Sequence, residues 1–106
     1  LISRLDDDDH IILVYKKNKK IVGSIIIELY GRNNKNCFIR NVGVSEAERG
    51  KCIGKRLMLS GLREAKKKGA SKSMLWVGYD NIIARNLYEK IGFVLDENEA
   101  EVIFQV

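Results

Sequence analysis

The feature that most constrains this chain is a change of hydrophobic period on either side of a six-residue loop. Residues 37–44 alternate as a strand does, the loop reads Arg49-Gly50-Lys51-Cys52-Ile53-Gly54, and from Ile53 apolar residues recur at helical spacing. At about 100° per residue, Ile53, Leu57, Met58, Gly61, Leu62 and Ala65 gather on one side while Arg56, Arg63, Lys66 and Lys67 fall largely opposite. Gly69 ends the helical run behind a lysine-rich last turn, and residues 73–79, centred on Met74, Leu75, Trp76 and Val77, return to a buried-strand pattern. Strand, helix and strand in that succession form a crossover, so the two strands should lie parallel. The N–H groups of the helix's first turn have no intrahelical partner and, with the helix dipole, suit an anion. Arg49, Lys51, Lys55 and Arg56 add mobile positive charge, so the loop reads as a phosphate cradle.

Upstream, residues 11–15 and 21–30 form apolar runs on either side of a lysine-rich turn, and Ile25, Ile26 and Ile27 are β-branched. A second turn cluster, from Gly31 through Asn36, leads into residues 37–44, where Phe38, Arg40, Val42 and Val44 share one face and Ile39, Asn41 and Gly43 the other. Three antiparallel strands are expected. Residues 1–5 read as the last turn of a helix, and residues 6–9 as an acidic loop. Downstream, Asp80 and Asn81 are both good N-caps for a helix carrying Ile83, Ala84, Leu87, Tyr88 and Ile91 at helical spacing, closed by Gly92. The tail reads as a last hairpin, with strands at 93–95 and 102–104 around a turn at 96–99. The order predicts an α+β fold, or mixed α/β sheet, with helices packed on it, as one domain over residues 1–106. A chain of 106 residues holds one modest core.

The net charge of +5 invites nucleic acid, but the lysines sit in turns and at a helix end without interleaved aromatics that would stack bases. No nucleic-acid partner is expected. No apolar run approaches the roughly 18 residues of a membrane span, and no segment has signal-peptide order, so a cytoplasmic chain off the membrane is expected. Cys37 and Cys52 have no companion Cys or His at metal spacing, so no metal site is expected. The single His10 leaves a nucleophile–histidine triad hard to build. Gly50-x-x-x-Gly54-Lys55-Arg56 is one residue short of a P-loop and lacks the Ser or Thr that would hold magnesium.

Residues 11–106 resemble the acetyl-CoA-binding core of the GNAT superfamily of N-acetyltransferases. The family's Q/R-x-x-G-x-G/A loop corresponds to Arg49, Cys52 and Gly54, entered from Val42, Gly43 and Val44. Its second signature, N-x-x-A-x-x-x-Y followed by a glycine and an aromatic, corresponds to Asn81, Ala84, Tyr88, Gly92 and Phe93. The resemblance implies a mostly antiparallel sheet with a central, splayed parallel strand pair and flanking helices. It implies acetyl-CoA as co-substrate, with the pantetheine arm in the splay beside Val42, Gly43 and Val44, and with the pyrophosphate on Arg49, Gly50, Lys51, Cys52, Ile53, Gly54 and Lys55. Asn81 would contact the arm.

The activity so implied is transfer of an acetyl group to a primary amine of a small molecule or peptide by direct attack. Tyr88 would be the general acid to the leaving thiolate, since a phenol near pKa about 10 can protonate a thiolate whose acid lies near about 8.5. A homodimer is a compatible assembly. The alternative is a non-catalytic acyl-CoA-binding module or sensor. Three departures stand out. Cys52 replaces the family's usual glycine, so either φ there is negative or the residue is strained. The central strands carry Arg40, Asn41 and Trp76 where relatives often have a basic carboxylate, leaving Glu28 as the substitute. The family's usual N-terminal strand and two helices have no counterpart before residue 11, so an N-terminally truncated domain is expected.

Overall fold

A computed structural model describes residues 2–5, 9–78, 80–95 and 101–105. The turn at 96–99 and residues 6–8 of the acidic loop lie outside the described residues. The elements in order are β1 (Ile2–Arg4), β2 (His10–Lys17), β3 (Lys20–Tyr30), β4 (Asn36–Val44), α1 (Ile53–Lys67), β5 (Lys72–Trp76), α2 (Ile82–Ile91), β6 (Val94–Leu95) and β7 (Glu101–Gln105), with short 3-10 turns at Arg32–Asn34 and Glu46–Glu48. The strands form one sheet in the order β1-β2-β3-β4-β5-β7-β6. Only β4 and β5 pair in parallel, as the crossover requires; every other neighbouring pair is antiparallel.

The β2–β3 turn is tight because Asn18 and Lys19 both take positive φ, 53° and 68°. That backbone twist matches the twist of the flanking strands. Along β3, Gly23, Ile25, Ile27 and Leu29 alternate inward, and the face of α1 that buries Ile53, Leu57, Met58, Gly61, Leu62 and Ala65 covers them. The stripe is the one its spacing predicts. Helix and sheet approach closely at Gly61, where a Cβ would lie 2.6 Å from Ile27 Cδ1. At the other end Gly69 takes φ 107°, and the Ala70 N–H donates back to the Ala65 carbonyl at 3.0 Å.

Three expectations are corrected. Residues 2–4 are not a helix end; they add an edge strand to β2, with Ile2 opposite Tyr15. Five residues are too few to fix a period, and the open backbone edge of β2 supplies the partners. The second correction concerns β4. Ile27 pairs with Ile39 but Ile26 with Asn41, so Arg40 is an extra residue in a β-bulge. Val42 therefore faces Ile25, and Val42 and Val44 join Cys37 and Ile39 on the α1 side instead of sharing a face with Phe38. The third concerns α2. Ala84, Leu87, Tyr88 and Ile91 are half-buried as their spacing predicts, but Ile83, at 87% exposed, projects past the core.

Candidate functional site

The β4–β5 ladder runs from Asn36 opposite Lys72 to Ile39 opposite Leu75 and stops there. Beyond that point β4 continues to Val44 along β3 alone, while β5 ends at Trp76. The two strands thus part at Arg40 and Trp76, which leaves a fork with backbone from β4 along one side. The bulge at Arg40 falls at its crotch and turns the strand there.

The loop after β4 stands at the open end of the fork and leads into α1, whose Gly54 lies beside Val44 of β4 and Leu87 of α2. Ser45 N–H donates to the Val22 carbonyl at 2.8 Å, and the 3-10 turn Glu46–Glu48 follows. Arg49 is extended, Gly50 takes φ 84° and Cys52 takes φ 62°, ψ 21° as the residue ahead of α1. Arg56 N–H donates to the Cys52 carbonyl at 3.1 Å, the first helical bond, so the amides of Ile53, Gly54 and Lys55 precede any intrahelical acceptor. The site of a Cβ on Gly50 is open, and one on Gly54 would only touch Val44 and Leu87 at 3.7 and 3.8 Å. The surface above the loop is therefore small-residued and rich in donors.

Side chains brace this loop. Arg49 Nε donates to the Val44 carbonyl at 3.3 Å, tying the loop back to the end of β4. Glu48 accepts from Lys51 Nζ at 2.9 Å and from Lys17 Nζ at 3.2 Å, which links the end of β2 to the loop. Those bonds, from Lys51 first and then Lys17, hold the Glu48 carboxyl below the usual carboxylate range, and the bond to Glu48 raises Lys51. The Glu48 contribution is therefore present above the ordinary carboxylate range and lost as pH falls through its lowered pKa. The Lys51 contribution is present below the ordinary lysine range and lost as pH rises through its raised pKa.

Cys52 is the strained residue of the two alternatives its sequence position allowed. It is exposed, with no side-chain capping bond. A left-handed non-glycine residue costs about 1–2 kcal/mol, of which glycine's extra backbone entropy returns about 0.5–1. Cys52→Gly is therefore expected to raise the melting temperature by a few degrees, about 4–8 °C per kcal/mol gained in a domain of this size. Cys52→Ala keeps the strain and should leave the melting curve in place. Thermal unfolding of the two variants side by side checks this, and equal shifts in both would remove strain as the cause.

Asn81, not Asp80, caps α2: its Oδ1 accepts from the Ala84 N–H at 3.3 Å. Seven residues on, Tyr88 is half-buried with its ring 6.0 Å from Phe93 at 59°. Burial pushes the Tyr88 hydroxyl pKa up, so the phenol is protonated throughout the neutral range. The fold thus brings the loop, the end of β4 and α2 to one end of the sheet, with Val44 and Leu87 both beside Gly54.

The sequence marked Glu28, Arg40 and Trp76 singly but did not bring them together on the sheet face away from α1. There Glu28, Tyr30, Phe38, Arg40 and Trp76 line a cavity of about 430 Å³ at the crotch of the fork. Arg40 Nη1 lies 3.3 Å from Glu28 and its guanidinium 5.9 Å from the Phe38 ring, and His10 Nε2 lies 3.7 Å from Glu28. Alternation along β3 places Glu28 and Tyr30 together, but Trp76 comes from a strand paired only through the crossover, whose register no local pattern states. Among the described residues no three His, Cys, Asp or Glu side chains converge as a metal set, and no helix is long and apolar enough to cross a membrane.

Comparison with known proteins agrees with the geometry. The chain is 32% identical over 90 residues to a mycothiol acetyltransferase of Corynebacterium glutamicum, covering 85% of this chain and 30% of that protein. It is 46% identical over 52 residues to the mycothiol acetyltransferase of Renibacterium salmoninarum, 49% of this chain and 15% of that protein. The chain thus spans less than a third of these relatives. In structure it resembles the PaiA N-acetyltransferase of Thermoplasma acidophilum in complex with coenzyme A, with TM-score 0.83 and 22% identity over 92% of this chain and 62% of that one. It also resembles Ard1 of Thermoplasma volcanium, with TM-score 0.79 and 25% identity over 90% of this chain and 70% of that one. The profile of the Acetyltransferase (GNAT) family matches residues 1–93, a span that takes in the fork, the loop and Tyr88. The chain belongs to that family.

Proposed function

We propose that this chain transfers an acetyl group from acetyl-CoA to the primary amine of a small molecule or peptide. The observation that carries the reading is the pairing of an open strand fork with a donor-rich loop at its open end. The residues fit the co-substrate: an extended arm can add to the free backbone edge of β4 at Val42, Gly43 and Val44, as a strand would. The pyrophosphate meets the amides from Gly50 to Lys55, where Gly50 and Gly54 leave room, with Lys51 and Lys55 as mobile charge. Arg49 acts by holding the loop to Val44. Bound acetyl-CoA supplies a thioester acyl group open to direct attack by an amine, so no covalent nucleophile is required of the protein.

Backbone amides of β4 at Val42 to Val44 polarise the thioester carbonyl held in the fork. Tyr88, kept protonated by burial, donates to the departing sulfur. The reading carries with it an amine partner and a cytoplasmic setting. Its test is thermal unfolding with acetyl-CoA or CoA, followed by thiol release across a panel of amines. Ligand at about 100 times its Kd adds about 2.7 kcal/mol, a rise of about 10 °C or more here. Binding without thiol release for any amine would leave an acyl-CoA-binding module in place of an enzyme. No shift with either ligand would end both.

A further inference from the structure

The cavity at the crotch of the fork has a composition that selects its occupant. Its two charged residues, Glu28 and Arg40, are 36% and 54% exposed at their side chains and pair at 3.3 Å. An exposed pair of this kind contributes little to stability and exchanges readily with other partners. Around it stand three aromatic residues, Tyr30, Phe38 and Trp76, and Trp76 is left 58% exposed. A large aromatic side chain held open to water beside a desolvatable ion pair is the make-up of a ligand wall more than of a solvated surface.

We infer that this cavity takes the acetyl acceptor, and that the acceptor is a free α-amino acid with an aromatic or large apolar side chain. The inference rests on the acetyl-transfer reading for the fate of the amine, but not for the binding itself. A zwitterion carries its ammonium and carboxylate one carbon apart, and docks head to tail on the Glu28–Arg40 pair. The carboxylate takes the Arg40 guanidinium through two parallel hydrogen bonds, and the ammonium takes Glu28. The side chain then lies between the rings. An amine without a carboxylate draws Glu28 away from Arg40 and gives the guanidinium no replacement partner, and a peptide N-terminus lacks the adjacent carboxylate.

Glu28 accepts one proton from the ammonium, which leaves a neutral amine at the crotch of the fork. The nitrogen lone pair forms the C–N bond to the thioester carbonyl carbon, and the C–S bond breaks with its electron pair on sulfur. The thiolate is protonated by Tyr88, which recovers a proton from the second N–H of the nitrogen through water. Glu28 returns its proton to solvent. The products are an N-acetylamino acid, CoA thiol and one released proton.

Trp76 is the chain's sole tryptophan, so its fluorescence reads the cavity directly. The experiment titrates phenylalanine, phenylalaninamide and phenethylamine into the protein saturated with CoA, in parallel with thiol release from acetyl-CoA. A saturable Trp76 response to phenylalanine is expected, with the two carboxylate-free amines at least about tenfold weaker. Arg40→Gln should narrow that gap and Arg40→Lys restore part of it, while both melt as the unsubstituted chain does. Equal binding of all three ligands, no response to phenylalanine, or a gap unmoved by Arg40→Gln overturns the inference. Phenylalanine binding with no thiol release for any amine upholds the cavity's selectivity and counts against the transferase reading alone.

Discussion

Tyr88→Phe is expected to lower kcat for acetyl transfer by about 10²- to 10⁴-fold while CoA affinity stays within about threefold. The substitution removes one hydroxyl and keeps the ring that packs against Phe93 at 6.0 Å. Folding and the α2 stripe should therefore survive, and only the proton donor is lost. Burial raises the hydroxyl pKa, so the phenol remains protonated through the pH at which an ordinary tyrosine would begin to ionise. On account of Tyr88, the fall in rate at alkaline pH should thus begin above the ordinary phenol range. Single-turnover rates against pH, with CoA affinity measured separately, decide the matter. A Tyr88→Phe rate within threefold of the unsubstituted chain would take the acid role from this residue.

Leu57→Ala is expected to cost about 3–5 kcal/mol. Leu57 is fully buried and reaches the sheet where Gly23 leaves room: a Cβ at Gly23 would be 3.1 Å from Leu57 Cδ1. Truncation there leaves a cavity that neither the helix nor β3 can collapse to fill. At about 4–8 °C per kcal/mol the melting point falls by at least about 12 °C. Leu59, two residues on, about 200° round the helix and 43% exposed, serves as the control, and Leu59→Ala should move the midpoint by about a degree or two. Urea midpoints for the two variants that lie close together would show that α1 does not pack as described.

The two motifs and the elements that carry them were legible because each is local. A helix's buried stripe follows from 3.6 residues per turn, and Ile53, Leu57, Met58, Gly61, Leu62 and Ala65 sit on the core face as their spacing states. Asn81 and Gly92 bound α2 through bonds that reach only a few residues. Strand existence was equally plain along β3, where the β-branched run Ile25, Ile26 and Ile27 lies between two turn clusters.

What escaped the sequence was each feature made by partners far apart in the chain. A bulge is defined by two strands, so the parity of β4 could not reveal that Arg40 is supernumerary or that Val42 and Val44 turn inward. Residues 2–4 have no period of their own and are a strand because β2 offers them an edge. Cys52 could be placed in the loop, but whether its φ is strained depends on how β4 and α1 meet.

By itself, then, the sequence determined the order of elements, the core face of α1, the anion-suited loop from Arg49 to Gly54 and the motif around Tyr88, because these rest on the intrinsic periods and caps of a single segment. The tertiary structure alone decided where β4 and β5 part, and which side chains meet at that crotch. Glu28 of β3, Phe38 and Arg40 of β4, and Trp76 of β5 are brought together across the three strands only through inter-strand register, a quantity that backbone pairing sets and no single segment contains.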